Sequence, residues 1–298
     1  LACGEMLRAG VTCFNDMYFF PEASCSAVEQ AGMRAAIGII AIEFPTAYAS
    51  DADDYLRKGL EVRDAYRENA RIGFCMAPHA PYTVSDKTFE KILTLAEQTN
   101  IPIHLHVHET RDEIAQSVKE YGLRPLARLQ NLGLLSPSVI AAHMVHLTPD
   151  EIELCAAQGV NIAHCPVSNL KLASGIAPVA QLLAKGINVG IGTDGTASNN
   201  RLDLLNELRI AALLAKGAAM DATALPAHQA LAMATLHGAK ALGLENEIGS
   251  LRIGKAADMI AVDLSSLETS PCYDVASHLV YAAGREHVTH AWVAGQLL

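Results

Sequence analysis

The chain has 298 residues, enough for two average domains or for one large barrel with an appendage. Hydrophobic residues make up 51% and charged residues 18%, which supplies a large buried core and excludes a disordered chain. A net charge of −10 argues against nucleic acid or an anionic membrane surface as partner, because both reward a basic face. A small-molecule substrate and a cytoplasmic location are the expectation.

No apolar run reaches the roughly 18–20 residues needed to span a bilayer. Met33 to Ile42 is too short, and Arg34 interrupts it. The first residues, Leu1-Ala-Cys-Gly-Glu-Met6, lack a basic segment and a cleavage site, so no secretory signal is read there. They read as the inside of a helix, and a chain truncated at its start is expected. The cysteines, Cys3, Cys13, Cys25, Cys75, Cys155, Cys165 and Cys272, are odd in number, scattered and never in a C-x-x-C pair. Reduced thiols in a reducing compartment are expected.

In chain order, short apolar runs rich in β-branched residues alternate with helical patterns. Strands are predicted at Val11–Asn15, Ala35–Ile42, Ile72–Ala77, Ile103–His108, Val139–His143, Val160–Cys165 and Val189–Thr193. Helices are predicted over Ser85–Thr99, Asp112–Tyr121, Pro149–Gln158 and Val179–Lys185. Ser85 caps one, and Thr148 with Pro149 and Glu151 forms a capping box at another; Gly159 and Gly186 occupy C-cap positions. Such strand–helix repeats build parallel sheets. The fold class is therefore α/β, a (β/α)8 barrel of which seven strands are visible and the first is missing. A doubly wound sheet is the alternative, weakened by the lack of a G-x-G-x-x-G after the first strand. Residues 1–242 are assigned to the barrel. Residues 243–298 are assigned to part of a small β-sandwich domain, with short strands over 247–263 and another at His290–Gly295.

Barrel enzymes place their chemistry at the C-terminal ends of strands. Those segments carry His79, the run His104-Leu-His-Val-His-Glu109, His143 and His146, His164, and Asp194 after Ile191-Gly-Thr. Seven of the twelve histidines lie there, which chance placement explains poorly and a metal centre explains well. Alternation along the strand puts His104, His106 and His108 on one face. Three inward imidazoles each need a polar partner, and neutral imidazole is a common ligand for zinc and similar ions. Asp194 follows a tight apolar strand and is flanked by small residues that allow close approach. Capping of a helix is the bland alternative for Asp194 and for Glu109.

The order Pro78-His-Ala-Pro81, His106-x-x-Glu109, His143, Thr193-Asp-Gly195 and Ser198-Asn-Asn200 resembles the amidohydrolase superfamily. It is most similar to the branch of 5-methylthioadenosine/S-adenosylhomocysteine deaminases and s-triazine hydrolases. Phe14-Asn-Asp-Met-Tyr-Phe-Phe-Pro21, Ser168-Asn-Leu-Lys-Leu172 and Gly249-Ser-Leu-Arg-Ile-Gly-Lys-Ala-Ala-Asp258 add to it, so the resemblance covers the whole chain. It implies a divalent metal, zinc or alternatively Fe2+, with His106 and Asp194 as ligands. It further implies Glu109 as proton shuttle, His143 as the group that orients water, and His79 in contact with substrate, with Glu109 and Asp194 also facing it. The family's other ligands form a His-x-His on the first strand, which no segment before Val11 supplies. The implied reaction is hydrolytic deamination of an aminopurine nucleoside; dechlorination or deamination of a triazine ring, or a non-catalytic barrel, are the alternatives. A homo-oligomer is expected.

Overall fold

The computed structural model describes Leu1–Leu298 and contains two compact units. One is Cys13–Asn161; the other joins Leu1–Thr12 to Ile162–Leu298. The first unit holds the strands β1 (Cys13–Asp16), β2 (Arg34–Ala41), β3 (Ile72–Pro78), β4 (Ile103–Val107) and β5 (Val139–His143). Each pairs in parallel with the next, in chain order. Every residue of β2 is buried, as expected of a strand covered on both faces. Helices between the strands provide that cover. The helix Ala52–Tyr66 comes so close to β2 that a Cβ at Gly59 would overlap Ile39.

The second unit contains β6 (Asn161–His164), which runs parallel to β7 (Val189–Ile191). It also contains an antiparallel sheet of β8 (Met259–Val262), β9 (Val288–Val293) and β10 (Gln296–Leu297), in the order β10-β9-β8. The predicted strand series over 247–263 is mostly turn. Gly249 and Gly254 adopt φ of +82° and +93°, which breaks an extended backbone. The Lys255 ammonium then ties the carbonyls of Glu245 and Ile248 together. Only Met259–Val262 pairs as a strand. No helix is long and apolar enough to cross a membrane.

Local chemistry sets the helix ends as the sequence predicts. Ser85 accepts from the Thr88 amide, and Thr148 and Glu151 form a reciprocal capping box. Gly159 and Gly186 end their helices at φ of +70° and +74°. These two glycines differ in surroundings: a Cβ at Gly159 would sit 3.1 Å from Pro137 Cγ, whereas one at Gly186 would meet nothing. Gly186→Ala is expected to cost about 1 kcal/mol, the left-handed penalty alone. Gly159→Ala is expected to cost more, because Pro137 has to give way. Urea denaturation of both variants measures the difference.

Candidate active site

Four of the predicted site residues meet within the Cys13–Asn161 unit. The rings of His79 and His106 lie 5.1 Å apart, those of His106 and His143 5.4 Å apart, and Glu109 Oε2 is 3.8 Å from His143 Nε2. His143 is buried, and the Glu109 side chain is 17% exposed, so its carboxyl faces a mostly dry setting that still admits a ligand. Asp194 belongs to the other unit, just beyond β7.

Hydrogen bonding orients the imidazoles. His106 Nδ1 lies 2.8 Å from the His79 carbonyl oxygen. A carbonyl only accepts, so Nδ1 is the donor in this bond. His79 repeats the arrangement. Thr83 Oγ1 donates to the Ala80 carbonyl and so accepts from His79 Nδ1 at 2.9 Å. Burial, and then repulsion from His106, pushes the His79 imidazole down to about 4, so it is neutral at neutral pH.

The third histidine of the run behaves differently. β4 ends at Val107, and His108 turns into the left-handed region at φ +56°, so it leaves the face shared by His104 and His106. His108 is fully buried, donates from Nδ1 to the His146 carbonyl and accepts the Leu126 amide at Nε2. Both of its nitrogens are committed to holding the loop. Strand alternation failed here because the strand stops one residue early.

The loop after β4 depends on Glu113, which chain order alone did not single out. Its carboxylate accepts the backbone amides of His108 and Glu109, each at 2.8 Å, while Thr110 caps the Glu113 amide. The Thr110-x-x-Glu113 spacing was a readable capping signal, but this carboxylate reaches further back than a capping box. Arg128 plays the matching part for the His79 loop. It is buried, donates to the carbonyls of Pro81 and Val84, pairs with Asp86 at 2.7 Å, and lies 3.8 Å over the Tyr121 ring. No local pattern marked it.

Asp194 has φ of +59°. Ser168 donates to its Oδ2, and the Gly195 amide to its Oδ1, both at 2.6 Å. Beneath it lies Glu207, fully buried and holding the Val167 amide and the Asn199 side chain. The left-handed residues His108, His143, Met144 and Asp194 all stand at ends of parallel strands. Such strain gathers where geometry is set by surroundings and not by local preference.

Taken singly, the imidazole of His106, oriented through Nδ1 by a carbonyl, and the carboxylate of Asp194, held by a hydroxyl and an amide, are both donor types that suit a divalent ion. No group of three or more His, Cys, Asp or Glu side chains is placed to hold a metal ion by itself.

Burial pushes the Glu207 carboxyl up to about 7, against the lowering effect of its two donors. The folded state therefore holds this proton more tightly than the unfolded chain, where the ordinary value is 4.5. The sign follows: this contribution to stability is full below 4.5 and is lost as pH rises through about 7. Glu207→Gln is expected to flatten the fall of unfolding free energy across that window, whatever its absolute stability. Denaturant titrations at several pH values check this.

The whole chain, residues 1–298, matches the model of the amidohydrolase family. It is 50% identical over 298 residues to the 5-methylthioadenosine/S-adenosylhomocysteine deaminase of Teredinibacter turnerae, covering 100% of this chain and 67% of that protein. It is 45% identical over 300 residues to the 5'-deoxyadenosine deaminase of Methanosarcina mazei, covering 100% of this chain and 68% of that one. Among solved structures, a zinc-bound adenosine deaminase from Xanthomonas campestris is 52% identical with a TM-score of 0.98, over 99% of this chain and 67% of that one. A zinc-bound atrazine chlorohydrolase from Arthrobacter aurescens is 28% identical with a TM-score of 0.92, over 100% and 71%. The seven parallel strands and the separate antiparallel sheet are thus those of a partial (β/α)8 barrel with its small β appendage. The chain belongs to the amidohydrolase family.

Proposed function

We propose that this protein is a metal-dependent deaminase that hydrolyses the amino group of an aminopurine nucleoside, releasing ammonia and the inosine analogue. The observation that carries the reading is the Glu109 carboxyl 3.8 Å from buried His143, whose ring stacks on that of His106, itself oriented by the His79 carbonyl. A carboxyl group next to a buried imidazole is placed to move a proton onto a ring nitrogen of a substrate.

The residues divide the work. His106 and Asp194 would hold the divalent ion, zinc with Fe2+ as the alternative, which when bound supplies Lewis acidity and acidifies water. Asp194 accepts the proton of the attacking water. Glu109 passes a proton to the purine ring nitrogen as the ring carbon is attacked; the amine then takes the water proton held by Asp194 and leaves as ammonia, while the hydroxyl proton of the intermediate returns to Glu109. His143 orients the water, and His79 presents Nε2 to the substrate as an acceptor.

5'-Methylthioadenosine is the preferred substrate over S-adenosylhomocysteine, whose carboxylate asks for a nearby guanidinium. The strand end Ile39–Phe44 offers none, and Arg57 lies on the helix Ala52–Tyr66, 56% exposed and paired with Asp54 and Glu61; Arg201, exposed on a loop, is the guanidinium left to substitute. The higher identity to deaminases than to the triazine enzyme supports an amine over a chloride leaving group. A catalytic barrel over 1–242 with a small β domain over 243–298 fits the antiparallel sheet, whose strands all follow Asp258. None of the seven cysteines is in a disulfide, in keeping with the reducing, cytoplasmic setting that belongs to this proposal. A homo-oligomer remains part of the proposal.

Zinc-loaded full-length protein is expected to release ammonia from 5'-methylthioadenosine, to lose activity to a chelator and to regain it with zinc. Glu109→Gln is expected to lower kcat by about 10²–10⁴-fold with zinc content unchanged. Chloride release from a chlorotriazine without ammonia from any adenosine analogue would overturn the deaminase reading.

A further inference from the structure

A non-glycine residue in the left-handed region persists only where its neighbours over-determine it. Two arms restrain Asp194 at φ +59°, and both begin at Glu207. Along the first, Glu207 Oε1 accepts from Asn199 Nδ2 at 2.6 Å. The same amide nitrogen donates to the Thr193 carbonyl at 2.8 Å, on the peptide that immediately precedes Asp194. Along the second, Glu207 Oε2 accepts from the Val167 amide at 3.1 Å. The next residue, Ser168, donates its hydroxyl to Asp194 Oδ2 at 2.6 Å. Glu207 and Ser168 are 0% exposed and Asn199 7%. The root of both arms is rigid, since Glu207 stands one turn into the helix Leu204–Ala219, capped by Asp203.

We propose that Glu207 is a positioning residue that sets the backbone conformation of Asp194 and the orientation of its carboxylate, and through them the affinity of the protein for its metal ion. This rests on the reading of Asp194 as a ligand. The ionised carboxyl, the form present as pH rises above about 7, fits the root because each of its oxygens accepts from one donor. Glutamine would set its NH2 against either the Val167 N–H or the Asn199 amide. An aliphatic side chain would leave both donors buried and unmet.

The test uses full-length protein and competition with a chelator to measure zinc affinity. The variants are Glu207→Gln, Asn199→Ala, Ser168→Ala and the double variant Glu207→Gln/Ser168→Ala. Each single variant is expected to weaken zinc binding by roughly 10–100-fold, the size of effect seen when a ligand loses the group that orients it. The double variant is expected to fall little below the weaker single, since both changes act on one path. At zinc saturation, kcat should drop while KM holds. If Glu207→Gln does not fold, Asn199→Ala and Ser168→Ala, each removing one arm, carry the same expectation. Folded variants with unchanged zinc affinity, even if less stable, would overturn the proposal, as would a wild type that binds no zinc. A wild type that binds zinc but releases no ammonia from aminopurine nucleosides would sink the deaminase reading, and the affinities would still decide this one.

Discussion

A polar group taken out of water has to be met inside the protein, and that constraint organises the strand ends of this chain. A buried amide or carbonyl left without a partner costs about 1–3 kcal/mol. A loop that turns away from a parallel strand has several such groups at once. Here charged side chains meet them in pairs. Glu113 takes the amides of His108 and Glu109, Arg128 takes the carbonyls of Pro81 and Val84, and Glu207 takes the Val167 amide and the Asn199 side chain. Each of these side chains sits on a helix, so the helices carry the loops as well as covering the sheet.

The same constraint explains why histidines gather at the strand ends yet do different things. His106 and His79 each spend Nδ1 on an internal acceptor, which orients the ring. His108 spends both nitrogens, so it serves the backbone only. Two residues apart in one strand-end run, His106 and His108 have opposite fates. The difference lies in the left-handed turn at His108, which re-aims the ring into the packing between the loop and the helix Pro125–Asn131.

Strained backbone and the proposed chemistry coincide. His143 and Asp194 both occupy the left-handed region, where a Cβ crowds the following carbonyl. At Asp194 the cost is offset by the bonds that Ser168 and the Gly195 amide make to its carboxylate.

Much of this was legible along the chain. The predicted strands at Ile72–Ala77, Val139–His143 and Val160–Cys165 match the observed ones to within a residue or two, because β-branched runs between caps and glycines leave little choice. The capping box at Thr148 and the left-handed Gly159 follow from side-chain and backbone chemistry that acts over four residues. The cluster of His79, His106, Glu109 and His143 could be named because a parallel barrel sends consecutive strand ends to one place. Tertiary structure alone decided that His108 is a scaffold group and that Arg128 and Glu207 brace the loops. Those outcomes depend on partners well beyond the local segment, such as His146 for His108, Pro81 for Arg128 and Val167 for Glu207. A local pattern reports what a segment prefers. It does not report which distant donor or acceptor will be buried against it.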